Sequence, residues 1–178
     1  MAPEMRIREL ADLPDLPTTA RQAGVMTLIY PGADDRACIV LILRPSYPGV
    51  HANQVAFPGG RREKQDQDLL ATALRETEEE VGVPSGAIEP VRALTPLYIP
   101  PSNYLVSPYL GLVTQRPVFI KQESEVADLI EVPLESLLDD GFRVVRRLDT
   151  SYARNIRVPA FHFGGQIVWG ATAMMLNE

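Results

Sequence analysis

The chain has 178 residues, 46% of them hydrophobic and 22% charged, with a formal net charge of −6. This length and apolar content fit one domain of ordinary size with a real core and exclude a disordered chain. The acidic balance argues against nucleic acid as a partner, since that surface would carry a basic patch. It leaves a phosphorylated small molecule open, because bound divalent cations invert the local field.

Residues 1–20 read as an N-terminal arm, because an acidic stretch broken by Pro14 and Pro17 cannot form a long helix. The N-terminus lacks the apolar core of a signal peptide, and no apolar run reaches the roughly 18 residues of a membrane span. The expectation is a cytoplasmic protein without a membrane partner. Residues 21–178 read as a single domain. Gly24–Tyr30 is predicted as a strand, closed by a turn at 31–35 and followed by a second buried strand over Cys38–Leu43, the two forming a hairpin. Cys38, the one cysteine, reads as core. A loop over 44–53 leads to an extended piece, Gln54–Phe57, that delivers Pro58-Gly59-Gly60.

A helix is predicted from Asp68 to Val81, capped by Gly82 and blocked by Pro84. Strands follow at Val91–Leu97 and Val106–Val113, with the proline-rich loop Tyr98–Tyr104 between them as a candidate substrate wall. The segment 123–132 ends at Pro133, which opens a short helix through Leu138. Strands over Val144–Leu148 and Asn155–Phe163, a Gly164-Gly165 turn and a closing helix over Ala171–Asn177 complete the chain. Trp169 reads as core. Strands interspersed with two or three helices give an α/β (α+β) class, a mixed sheet with helices on its faces.

The chemistry concentrates in the glutamate-rich helix. At about 100° per residue, Leu70, Ala73, Leu74, Thr77 and Val81 share one arc, and Glu76, Glu79 and Glu80 share another. Like charges at i,i+3 and i,i+4 destabilise a helix, so three carboxylates on one stripe point to a cation. All-oxygen donors are hard ligands, which makes that cation Mg²⁺, or Mn²⁺ in its place. Arg44, Arg61, Arg62 and Lys64 flank the glycine turn and are candidates to meet phosphate, each also readable as a solvated surface charge. His51 and His162 have no paired nucleophile signature.

Arg75-Glu76-Thr77-Glu78-Glu79-Glu80-Val81-Gly82-Val83 resembles the second half of the Nudix hydrolase box, G-x5-E-x7-R-E-U-x-E-E-x-G-U, with Thr77 in an aliphatic slot. Gly60 stands as the opening glycine. Asp66 follows after five residues where the box has Glu, and eight residues rather than seven precede Arg75. The resemblance implies a Nudix-type α/β/α sandwich and metal-dependent pyrophosphohydrolase activity on a small nucleotide substrate. It makes Asp66, Arg75 and Gly82 structural members of the box. Asp66 is the expected partner of Arg75, with Gln67 or Asp68 as alternatives.

The stretch Leu41-Ile42-Leu43-Arg44-Pro45 followed by Phe57-Pro58-Gly59-Gly60, the longer box, and residues 167–173 further resemble coenzyme A pyrophosphatase-like Nudix proteins. Gly49, Asn53 and Pro45 depart from that subgroup's signature. The implied substrate is coenzyme A or an acyl-CoA, cleaved to 3′,5′-ADP and 4′-phosphopantetheine. The alternatives are ADP-ribose, dinucleotide polyphosphates, noncanonical nucleoside triphosphates, or a non-catalytic nucleotide sensor.

Within this frame Glu76 and Glu80 are the first metal ligands, and Glu79 is either a further ligand or the base. Glu125, on the segment after the fourth predicted strand, is the rival base, with Glu123 as its fallback. Arg44, Gly59, Gly60 and Arg61 are the expected phosphate contacts, the glycines because they let backbone approach phosphate closely. Nudix relatives are often dimers, so the resemblance allows a homodimer, although no periodic interface is legible.

Overall fold

The first apolar run forms a strand, β1 (Arg21–Pro31), and β1 is the axis of the main sheet. The computed structural model describes residue 17 and residues 19–46, 52–149 and 154–178. Most of the expected arm over 1–20, and Tyr47, Gly49 and His51 of the loop, lie outside these.

Along one edge β1 runs parallel to β7 (Tyr104–Leu112), in register from Arg21 opposite Tyr104 to Ile29 opposite Leu112. Its other edge is shared by two antiparallel partners. The first half, Ala23–Val25, pairs with β4 (Gly59–Arg61), and the last three residues pair with β2 (Ala37–Leu43). The β1–β2 pair is the expected hairpin. β2 in turn carries β3 (Val55–Ala56) and β8 (Asp128–Pro133), both antiparallel. The eight-stranded sheet is therefore mixed, and the glycine turn enters it where β1 passes from one partner to the other.

One predicted strand is two in the structure. Val91–Leu97 is replaced by β5 (Glu89–Ala93) and β6 (Leu97–Ile99), which pair separately with β7. Pro90 and Pro96 supply no amide hydrogen to a ladder, and the register shifts between Pro90 and Arg92.

The alternating side chains of β1 and β2 build a core on each face of the sheet. Met26, Leu28, Tyr30, Val40 and Ile42 pack toward helix α1 (Leu69–Val81). The helix has the sequence-expected caps: Asp68 accepts the Ala71 N–H, and Gly82 turns left-handed at φ 73°. Thr77, in the slot where an aliphatic residue was expected, is fully buried and donates its hydroxyl to the Ala73 carbonyl at 2.6 Å. Its polar atom thus costs the core nothing unsatisfied. Gly24 lets the helix sit close, since a Cβ there would lie 2.1 Å from the Leu69 carbonyl oxygen.

On the opposite face, Ile39, Leu41, Val55 and Phe57 pack against a second, three-stranded antiparallel sheet. Its strands are β9 (Arg143–Leu148), β10 (Ile156–Phe163) and β11 (Gln166–Val168). Helix α2 (Gly170–Leu176) closes this layer through Ala173 and Met175.

Candidate functional site

Helix α1 and the glycine turn meet edge on. Gly59 holds a φ of 151°, and a Cβ there would press on β1 backbone at 2.4–2.5 Å. The turn thereby presents its N–H to the helix, and the Gly59 N–H donates to the Glu80 carboxylate at 2.8 Å. Gly60 lies over Glu76, where a Cβ would fall 2.4–2.5 Å from the carboxylate.

Glu125 joins these two from a distant segment. The chain after β7 is bound to the C-terminal end of α1 by backbone hydrogen bonds, Ile120 N–H to the Val81 carbonyl and Gln122 N–H to the Glu80 carbonyl, both at 3.0 Å. It is bound to the end of β2 by the Ala127 N–H on the Leu43 carbonyl, and the fully buried Val126 anchors the turn between. Carboxylate oxygens of Glu76, Glu80 and Glu125 consequently lie within 4.8 Å of one another. Glu80 is buried, Glu76 is half-buried and Glu125 is exposed.

Burial pushes the Glu80 carboxyl up to about 8, against the opposing pull of the Gly59 N–H and the Arg44 charge; Glu76 and Glu125 push the same way as burial. Glu76 is also raised by burial, with Arg75 opposing. Three converging carboxylates with too little positive charge nearby, spaced to share one ion about 2.0–2.6 Å from each oxygen, are a donor set suited to a hard divalent cation.

The structure does not bring Glu79 into this cluster. Its side chain is 56% exposed and its carboxylate accepts from Arg75 Nη1 at 2.9 Å. Around the helix, Glu80 lies about 40° to one side of Glu76 and Glu79 about 60° to the other, so one ion cannot face both. Glu79 falls instead beside Arg75, one turn earlier. Glu123 is likewise outside, paired with Lys121 at 3.2 Å.

Arg75 grips Asp66 with two parallel contacts, Nε to Oδ1 at 3.0 Å and Nη2 to Oδ2 at 3.1 Å. Asp66 is buried and also accepts from Thr72 Oγ1 and the Glu63 N–H. The Arg75 guanidinium beside it holds its carboxyl well below the usual range. Arg75 further contacts Glu76 Oε1 at 3.0 Å. Asp68, one of the alternatives for this role, is the helix cap, and Gln67 offers only its carbonyl, to Arg62.

A cavity of about 360 Å³ opens against the glycine turn from the second core's side of the sheet. Arg44, Gly59, Gly60 and Arg61 border it, as do Tyr98, Ser102 and Tyr104 of the expected substrate wall. Arg44 buries Nε without a hydrogen-bond partner, and Arg61 is exposed at the edge. Trp169 corrects the sequence reading. It is half-buried in the cavity wall together with Thr172, Met174 and Met175, none of which drew attention as functional residues. Only the likeness of residues 167–173 to one subgroup marked the region.

The NUDIX domain family model matches residues 20–148. The chain is 38% identical over 161 residues to the uncharacterized Nudix hydrolase NudL of Yersinia pestis (strain Pestoides F), covering 90% of this chain and 78% of the relative. The NudL protein of Yersinia pseudotuberculosis serotype O:1b matches equally. Among solved structures, the Nudix hydrolase RenU of M. smegmatis superposes with a TM-score of 0.55 at 17% identity, covering 67% of this chain and 74% of that one. The NUDIX domain of Shewanella oneidensis NrtR, solved with ADP ribose, gives 0.52 at 19%, covering 74% and 85%. At such identities the structures speak for the fold alone. The chain belongs to the Nudix family, and the enzyme class this defines is a Nudix pyrophosphohydrolase. No helix among the described residues is long and apolar enough to cross a membrane.

Proposed function

We propose that the protein hydrolyses a phosphoanhydride in a nucleoside diphosphate derivative, with Mg²⁺ (or Mn²⁺) as cofactor and coenzyme A or an acyl-CoA as substrate. The products are then 3′,5′-ADP and 4′-phosphopantetheine, which keeps its acyl group when an acyl-CoA is cleaved. The observation that carries the reaction type is the convergence of Glu76, Glu80 and Glu125 beneath the glycine turn, whose Gly59 N–H holds the Glu80 carboxylate. The substrate rests on Arg44 and Phe57-Pro58-Gly59-Gly60, which fit the subgroup signature, and of which Arg44, Phe57, Gly59 and Gly60 border one cavity.

Glu76 and Glu80 are assigned as ligands of the cation, held by the helix at one turn's separation. When bound, a divalent cation there would neutralise diphosphate charge and acidify a water. Glu80 is oriented by the Gly59 N–H, and Glu76 by Arg75. Glu125 is the exposed carboxylate of the three, open to a water arriving from solvent, and is assigned the role of general base. Arg44 and Arg61, which border the cavity, are assigned to bind and orient the diphosphate. Asp66 and Arg75 hold the loop before the helix and the first ligand in place. All of these come from one chain, so the proposal needs no second copy.

The test is turnover of a panel (coenzyme A, an acyl-CoA, ADP-ribose, a dinucleotide polyphosphate and noncanonical triphosphates) with Mg²⁺ and products resolved by mass. Coenzyme A turned over with the highest kcat/KM, to the two named products, is the expected result. Preference for another member overturns the substrate. Binding without turnover of any member overturns the reaction.

A further inference from the structure

We propose that the cavity beside the glycine turn seats an apolar chain attached to the scissile diphosphate, and that helix α2 defines this seat. The inference rests on reading the carboxylate cluster as a diphosphate-cleaving centre. It does not depend on coenzyme A being the substrate.

The lining of the cavity is two-faced. Val55, Phe57, Leu97, Val106, Met174 and Met175 give it aliphatic, aromatic and thioether walls. Three hydroxyls in the wall donate to the protein: Thr172 to the Val55 carbonyl and Tyr98 to Asn103 Oδ1, each at 2.9 Å, and Ser102 to the Ile99 carbonyl at 3.4 Å. Gln54, Ser102, Tyr104 and Asp149 add polar groups elsewhere in the lining, and its two cationic side chains, Arg44 and Arg61, stand with the glycine turn. Arg61 follows Gly60, Arg44 pairs by its N–H with the Gln54 carbonyl, and the Arg44 charge reaches Glu80. A nucleobase pushed inward would bury ring nitrogens and an amino group against apolar walls, which is unfavourable wherever they are left unpaired. An alkyl, acyl or thioether chain makes no such demand. Its natural orientation is diphosphate at Arg44 and Arg61, chain inward, and nucleotide outward, where Arg61 also borders an open surface carrying Arg21, Arg62 and Lys64 beside one acid, Glu63.

The inner wall belongs to a part of the chain that the family match, ending at residue 148, does not reach. Helix α2 is nonetheless tied to the site. The buried Thr172 bond fastens it to β3, the strand that leads into Phe57-Pro58-Gly59-Gly60. Met174 and Met175 are unbranched and polarizable, so they adapt to chains of differing length.

Trp169, the only tryptophan, sits in the wall and reports occupancy without any substitution. The probes are n-alkyl esters of ADP, ethyl to octyl, made as methylene-bridged diphosphates that resist hydrolysis and titrated with Mg²⁺ present. Affinity is expected to rise by up to about fourfold per added methylene until the cavity is full, with a change in Trp169 emission that grows along the series. Ala171→Phe, which fills the cavity from α2, is expected to flatten the series. Equal affinity for ethyl and octyl esters in the unmodified protein overturns the proposal, as does a Trp169 response to adenosine that the octyl ester does not share. The unmodified protein decides the matter even if the Phe variant fails to fold. A chain-length series that holds while coenzyme A is not turned over would remove the coenzyme A reading and leave this one standing.

Discussion

Gly59 donates its backbone N–H to the buried Glu80 carboxylate at 2.8 Å, joining residues 21 positions apart. The bond ties the glycine turn to the helix, yet it does not fully offset the burial of Glu80, whose carboxyl remains pushed up to about 8.

Replacing Glu80 with Gln should therefore act oppositely on stability and on catalysis. A raised folded pKa means that the native state binds the extra proton. Without a cation, the contribution is present below the unfolded pKa of about 4.3 and is lost as pH rises through about 8. The cation-free protein should melt at lower temperature at pH 8 than at pH 5.5, and Glu80→Gln should flatten that slope, because the amide oxygen can still accept from Gly59. With Mg²⁺ the same variant should lose on the order of a thousandfold in kcat, several kcal/mol of barrier. Melting curves at the two pH values and steady-state rates check both halves. Wild-type-like rates would remove Glu80 from the metal site.

The Asp66–Arg75 pair titrates the other way. Asp66 is depressed, so its contribution is present above the unfolded pKa and is lost as pH falls through the lower folded one. Asp66→Asn should cost about 3 kcal/mol at pH 7, the low end for removing one partner of a buried pair, because Arg75 keeps its contacts to Glu76 and Glu79. The gap between variant and wild type should shrink below about pH 4, as wild type loses the same contribution. Urea unfolding at pH 7 and pH 3 measures it.

These two relationships show how far local sequence reaches. The helix, its Asp68 and Gly82 caps, the glycine turn and the Asp66–Arg75 contact all follow from residues within about twenty positions of each other, where spacing and side-chain chemistry decide. Glu125 was legible only as a rival base. Its approach to Glu76 and Glu80 depends on backbone bonds from 120–127 to the ends of α1 and β2, which no pattern in that segment announces. Glu79 stayed ambiguous for a related reason. A helical wheel puts it on the stripe, and only the position of Arg75 shows which neighbour claims it. Trp169 read as core and the residues after it only as a closing helix, because apolar residues lining a cavity and apolar residues filling one look alike in sequence.

Two glycines separate packing from function. At Gly24 an added Cβ meets helix backbone at 2.1 Å, which cannot yield without moving α1 off the sheet. Gly24→Ala should destabilise by about 3 kcal/mol or fail to fold. At Gly60 the clash at 2.4–2.5 Å is with the end of the Glu76 side chain, which can swing aside. Gly60→Ala should keep most of its thermal stability and lose divalent-ion affinity and turnover. Comparing melting temperature with Mn²⁺ affinity in the two variants checks the contrast. Equal loss of both properties in each would refute it.

Divalent-ion affinity should likewise distinguish the glutamates. Glu76, Glu80 and Glu125 have oxygens within 4.8 Å of one another, while Glu79 faces Arg75. Calorimetric titration with Mn²⁺ should show weakening of at least about tenfold for Glu76→Gln and Glu80→Gln, which is 1.4 kcal/mol of lost ligand energy. Glu79→Gln should bind within about twofold of wild type, because it gives up only an exposed ion pair, worth at most about 1 kcal/mol to the helix and nothing to the ion. Glu125→Gln separates ligand from base. As the base, it should lower kcat far more than it lowers Mn²⁺ affinity, and the lost rate should partly return at high pH, where hydroxide supplies what the carboxylate no longer takes. A Glu79→Gln protein that binds Mn²⁺ as poorly as Glu80→Gln would put Glu79 back among the ligands.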